Sequence, residues 1–221
     1  MAAILTIARI LFKSKEARQK AIDAFHNIIE YTKANEPEVL QYVCALPIDD
    51  SLGNEIYMIE EYWCLLKLYT NQAANDAHFV TKPVQDLVQL FTTGDVLAQP
   101  PEVHSCFIVT EKTSKSPVPV LNKPAIVLMS FPSKLDGAFR SNGVWKKDTA
   151  ETLITQAKGI SFFAVVEDKD ANSIRVQCVA EDWNSFASFQ TSVLDDSAGH
   201  VETVKIRPID GFLGREGRYK L

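Results

Sequence analysis

The chain has 221 residues and a formal net charge of −5, enough for one large domain or two of about 100 residues each. The acidic balance argues against nucleic acid as the main partner, because that requires a basic face. No run of about 18 apolar residues occurs, so no membrane-spanning helix is expected, and the 46% hydrophobic content is that of a packed globular protein.

The opening "MAAILTIARILFKSKEARQK" is apolar and then basic, as some targeting segments are, but Arg9 interrupts the apolar run. It reads better as a strand, Ile4 to Phe12, followed by a helix. Ser14 is the expected N-cap, with Glu16 in the first turn. Ala21, Ile22, Phe25, Ile28 and Ile29 then form one apolar stripe. Pro37 ends the helix. Two alternating runs, "LQYVCALPI" and "EIYMIEEYW", flank the turn "DDSLGN" and read as a hairpin. Thr81 and Pro83 mark a second helix start, Val84, Leu87, Val88 and Phe91 its stripe, and Gly94 its end. A last strand lies in "DVLAQPPEVHSCFIV", at its "HSCFIV" end. The order β-α-β-β-α-β is the ferredoxin-like unit.

"TEKTSKSPVPVLNKP" has the make-up of a linker. After it the order starts again. "AIVLMSF" is a strand and "KKDTAETLITQAK" a helix. "ISFFAVVED" and "IRVQCVAEDW" are a hairpin, "NSFASFQTSVLDD" a helix and "HVETVKIRPI" a strand. The tail "DGFLGREGRYKL" reads as irregular. The expected division is a first module over residues 1–112, a linker over 113–123, and a second module with its tail over 124–221. Laid without a gap, Leu40–Trp63 falls on Ile160–Trp183: Tyr42 on Phe162, Ile59 on Val179, Glu61 on Glu181, Trp63 on Trp183. This is the mark of an internal duplication.

A four-stranded sheet with both helices on one face leaves its other face bare, at roughly 25 cal/mol per Å² of apolar surface. Pressing the two bare faces together removes that cost within one chain. The expected fold is therefore α+β: two ferredoxin-like (βαββαβ) modules packed sheet to sheet as a pseudo-dimeric α/β barrel.

Cys44, Cys64, Cys106 and Cys178 form no CxxC pair and read as reduced, buried thiols. His26, His78, His104 and His200 share no metal-ligand spacing with them, so no metal site is expected. Glu61 and Glu181 are a carboxylate pair by repeat symmetry. A glycosidase would want such a pair, but bonding to a neighbouring strand or helix end is the better reading.

"ANEPEVLQYVCAL", "NEIYMIEEYW" and "NDAHFVTKPVQDL" together resemble the antibiotic biosynthesis monooxygenase (ABM) domain, one of the dimeric α/β barrels. That family has an acidic-Pro turn, an E-x-W near the third strand, and an Ala-His pair before a Pro-bearing helix. The second half keeps only the hairpin and "AEDW"; Ala198 stands where the repeat would place His78. The resemblance implies an enzyme of secondary metabolism acting on an aromatic, polyketide-like molecule: a cofactor-independent monooxygenase using O₂, or a related oxidase or cyclase. It implies a flat apolar cleft with hydrogen-bond donors and a weak base. Trp63, Tyr69, Asn75 and His78 are the candidate catalytic residues, and Arg9, Phe25, Ile59 and Glu61 the candidate substrate-binding ones.

Each candidate has a plainer reading. Trp63 would donate its indole N–H, or simply close the sheet end, and its recurrence at Trp183 favours packing. His78 would serve as base or haem ligand, or as a cap. Arg9 would stabilise an anion, or ride at the strand's solvent edge. His26 reads as an interior or boundary residue, and His104 and His200 as structural. The strand ending in Trp63 carries no Asn where quinone-forming members have one. The alternatives are a non-catalytic, hydrophobic-ligand-binding or stress-response protein, and a haem-binding protein. Expected partners are a small aromatic substrate and O₂, neither nucleic acid nor membrane, with a homodimer of the pseudo-dimer possible in principle and a cytoplasmic location.

Overall fold

The structure, a computed structural model, describes residues 4–62, 76–113, 116–132, 158–193 and 201–215. The first half runs β1 (Ile4–Leu11), α1 (Lys15–Asn35), β2 (Val39–Pro47), β3 (Glu55–Tyr62), α2 (Lys82–Thr93) and β4 (Glu102–Thr113). The second half runs β5 (Ala125–Pro132), β6 (Ile160–Asp168), β7 (Ser173–Ala180), α3 (Trp183–Val193) and β8 (Glu202–Phe212). A 3₁₀ turn, Val120–Asn122, lies between them. None of the described helices is long and apolar enough to cross a membrane.

The helix ends follow from sequence. Ser14 caps α1, its hydroxyl accepting from the Ala17 N–H at 3.1 Å. The helix stops at Glu36, just before Pro37. Proline occupies the first turn of α2 and Gly94 follows its end.

The strands close into one barrel, in the order β1-β3-β2-β8-β5-β7-β6-β4, and every pairing is antiparallel. Within each half the order is that of a ferredoxin-like sheet. Two seams, β2 with β8 and β4 with β6, join the halves and leave no free edge. This is the α+β pseudo-dimeric barrel that the bare sheet faces demand.

Three apolar clusters result. One lies between the first sheet and α1 and α2, and holds Phe25, Ile28, Ile29, Tyr42, Tyr62 and Leu87. One lies beneath α3, around Phe163, Phe186 and Phe189. The third fills the barrel, with Leu5, Ile7, Val43, Tyr57, Ile59, Phe162 and Val179. Because side chains alternate along a strand, β2 feeds two clusters and reads as a nearly unbroken apolar run.

Several elements differ from the sequence reading. β4 is twelve residues long, not the six of "HSCFIV". β8 extends through Asp210, Gly211 and Phe212, residues read as irregular tail, and pairs Phe212 with Tyr42. The gapless superposition of the hairpins fails on one strand. Tyr42 packs under the helices, whereas Phe162 lies inside the barrel. Val43 opposite Ile59 corresponds to Phe162 opposite Val179. The second hairpin is therefore one residue longer, and each first strand carries a bulge near its start. The helix expected in "KKDTAETLITQAK" lies outside the described residues but for Lys158.

Candidate active site

On the helix-covered side of the first sheet, the end of α1 meets a short helical turn at residues 76–79. His78 on that turn is 3% exposed. Its Nδ1 lies 2.8 Å from Glu36 Oε2, and the Thr32 hydroxyl donates to the same oxygen at 2.7 Å. Tyr42 from β2 and Tyr62 from β3 wall the ring, with centroids 5.7 and 5.9 Å away, and Phe79 meets it edge-on. The Tyr62 hydroxyl donates to Glu60 Oε2 at 2.7 Å.

Burial by itself pulls the His78 pKa down. The Glu36 hydrogen bond, aided by the charges of Glu60 and Glu36, outweighs it, and the net shift is upward. Burial likewise opposes ionisation of Glu36, but bonds from His78 and Thr32 and the charges of His78 and Arg215 hold its carboxyl below the usual range. Burial and the neighbouring Glu60 raise both tyrosines well above 10, so they stay protonated. When His78 is neutral, a proton on Nδ1 serves Glu36 and makes Nε2 the basic nitrogen. The arrangement can take a proton and hold the resulting imidazolium against a carboxylate.

Of the predicted site residues, His78 alone lies in this cluster among those described. Trp63, Tyr69 and Asn75 lie outside the described residues. Phe25 is a packing residue, edge-on to Phe91 at 6.3 Å between α1 and α2. Ile59 and Glu61 point the other way, into the barrel, where Glu61 has no exposure at all. Their strand parity is opposite to that of Glu60 and Tyr62. Tyr42, Glu36, Glu60 and Tyr62 were missed. The signal was present: alternation from Ile59 puts Glu60 and Tyr62 together on the opposite face.

Arg9 lies away from His78, with its side chain 37% exposed. It sits in one mouth of the barrel, where Nε binds Glu55 and Nη1 approaches Glu102 at 3.4 Å. In the same mouth Asp168, 1% exposed, accepts from Arg175 Nε at 2.9 Å and lies 2.8 Å from His104 Nδ1. Burial raises the Asp168 pKa, but the Ala171 N–H, Arg175 and His104 outweigh it and the net shift is downward. Arg9, Tyr57, Glu102, His104 and Arg175 line a cavity of about 140 Å³ there.

His26 is exposed, not interior, with Nδ1 2.7 Å from Asp210. His200 lies outside the described residues. Trp183 opens α3 and packs edge-on against Phe186 at 6.4 Å, a filling role. Glu181 is exposed while Glu61 is sealed, so the repeat does not set them up as a working carboxylate pair. Cys44, Cys106 and Cys178 are buried free thiols, pushed by burial up to about 12.

No protein-family profile and no curated protein matches the sequence. Solved structures do match. A candidate monooxygenase from Fusobacterium nucleatum superposes with a TM-score of 0.77 at 13% identity, covering 97% of this chain and 95% of that one. A candidate monooxygenase from Lactobacillus acidophilus gives 0.71 at 14% identity, over 97% of this chain and 100% of that one. A protein described as anthrone oxidase-like gives 0.60 at 9% identity, over 99% and 97%. The chain thus shares its fold with these structures over nearly its whole length, and that fold is the duplicated barrel expected from its sequence.

Proposed function

We propose that the chain is an O₂-using monooxygenase or oxidase of a small hydroxylated aromatic, polyketide-like molecule, working without a bound cofactor. The observation that supports this reading is the buried His78–Glu36 pair between Tyr42 and Tyr62. His78 Nε2 takes the acidic proton of the phenol or anthrone, and Glu36 stabilises the imidazolium. The substrate anion then gives an electron to O₂. Tyr42 and Tyr62 hold the imidazole, Phe79 offers an exposed aromatic face beside it, and exclusion of water protects the radical pair. Names borne by structures of the same fold point the same way, but at 9–14% identity they speak only for the fold.

The test is O₂ uptake by the purified protein with anthrone and hydroxyquinol substrates. Uptake in the wild type that falls at least 100-fold in His78→Ala is expected for a general base. Absence of uptake with every substrate overturns the reading.

One observation favours a second reading, ligand binding without turnover: the His78 ring is enclosed by the chain's own aromatic side chains. Here O₂ uptake is absent, and an aromatic ligand or hemin quenches tyrosine fluorescence in a manner that His78→Ala abolishes.

A further inference from the structure

We propose that Arg215, brought by the tail of the second half, is a positioning residue for the His78–Glu36 pair of the first half. The proposal rests on that pair being the reactive site described above.

β8 pairs with β2 as far as Phe212 opposite Tyr42. Three residues later Arg215 lies across the end of α1. Its Nε donates to the Val39 carbonyl at 2.6 Å and its Nη1 to that of Lys33 at 3.1 Å. Its Nη2 donates to the carbonyls of Thr32 at 2.8 Å and Glu36 at 2.9 Å. The guanidinium stacks on Phe212, 4.8 Å from the ring centre, which fixes its aim.

Carbonyls at a helix end lose intrahelical partners; here that of Thr32 still accepts from the Glu36 N–H and that of Glu36 from the Val39 N–H, both at 3.1 Å, and Arg215 bonds each a second time. Arg215 binds those of Thr32, Lys33 and Glu36 together with the first of β2. The choice of carbonyls is telling. Thr32 and Glu36 are also the two residues whose side chains meet at Glu36 Oε2, where His78 binds. One planar fork thus fixes the backbone on both sides of the carboxylate. Lysine, with one compact ammonium, cannot span four carbonyls.

The described charged and titratable groups around His78 are Asp76 on its own turn, Glu36 at the end of α1, Tyr42 on β2, Glu60 and Tyr62 on β3, and Arg215 on the tail. Arg215 acts on Glu36 and is not among the groups that shift His78 directly. Loosening the corner therefore moves the His78 titration downward by weakening its bond to Glu36.

The experiment compares wild type, Arg215→Ala and Arg215→Lys by NMR titration of the His78 ring and by steady-state kinetics. Both variants are expected to titrate at lower pH, with kcat down about tenfold and KM within about twofold. A variant that melts earlier but keeps the wild-type His78 titration makes Arg215 a helix cap only and overturns the proposal. Full recovery by lysine also overturns it, because charge alone would then suffice. Should the wild type show no O₂ uptake, the proposed activity fails, while the titration still decides whether Arg215 positions the pair.

Discussion

Gln41 on β2 and Gln177 on β7 meet inside the barrel, each side-chain amide donating to the other's oxygen at 3.1 and 3.2 Å. Neither has any exposure, and the bond ties the two halves across the interior. Gln177→Leu would leave Gln41 buried without its partner, at about 1–3 kcal/mol. Gln41→Leu with Gln177→Leu should restore much of that loss, since removing both partners is close to neutral. Urea unfolding of the four proteins measures the coupling; strictly additive losses would show that the bond contributes nothing.

The His78–Glu36 pair should leave a signature in stability against pH. His78 is raised above its unfolded value of 6.5, so its contribution is full below that pH and is lost as pH rises through the folded value. Glu36 is lowered from 4.5, so its contribution is present above that pH and is lost as pH falls through the folded value. The difference in unfolding free energy between wild type and His78→Gln is therefore largest from about pH 4.5 to 6.5, and shrinks on both sides. A difference that grows toward pH 9 would contradict the pairing.

Gly211 has φ of 119°, and a Cβ there would stand 2.1 Å from the Tyr42 carbonyl oxygen and 2.8 Å from Val43 Cα. Gly211→Ala must prise β8 off β2 at the seam between the halves. A loss of about 1–3 kcal/mol is expected from the backbone strain alone, before the clash. Gly53→Ala is the comparison. It also has positive φ, but its Cβ meets only the flexible end of Lys15. Thermal denaturation should rank Gly211→Ala well below Gly53→Ala.

Asp168 anchors the charged mouth of the barrel. Asp168→Asn leaves Arg175, 19% exposed at its side chain, without its carboxylate. The expected loss lies above the ~1 kcal/mol of a surface pair and toward the ~3–5 kcal/mol of a buried one. Because the Asp168 pKa is lowered from 3.8, its contribution is present above that pH and disappears as pH falls through the folded value. Acid titration of wild type and variant should converge below pH 3.8; parallel curves would show that the pairing adds no stability.

Much of the fold was legible because alternation and capping are local. Ser14, Pro37, Pro83 and Gly94 punctuate the helices where the sequence placed them. The closed barrel followed from a sheet with one bare face. The end of β8 was not legible, since "DGF" looks like a break, and only Gly211 at positive φ lets the strand continue. The hairpin offset was hidden too: bulges shift register without changing composition.

The candidate site was legible only in part. His78 was found from its place before α2. Its partner Glu36 was read as part of a turn, because nothing in sequence brings residues 36 and 78 together. Ile59 and Glu61 lie on the barrel face of β3, and Glu60 and Tyr62 on the face toward His78. Periodicity tells which residues share a face, but not which face the helices cover. Arg9 lies on the barrel side of its strand, in the open mouth and away from His78.

Closure at two seams gives the molecule a single shared lining and two separate outer coats. An inward residue such as Phe162 has neighbours from both halves, so a change there must be answered on the opposite half. Residues under α3 answer only to their own sheet. The outward faces of the two halves are thus free to differ, while their inward faces must fit one another.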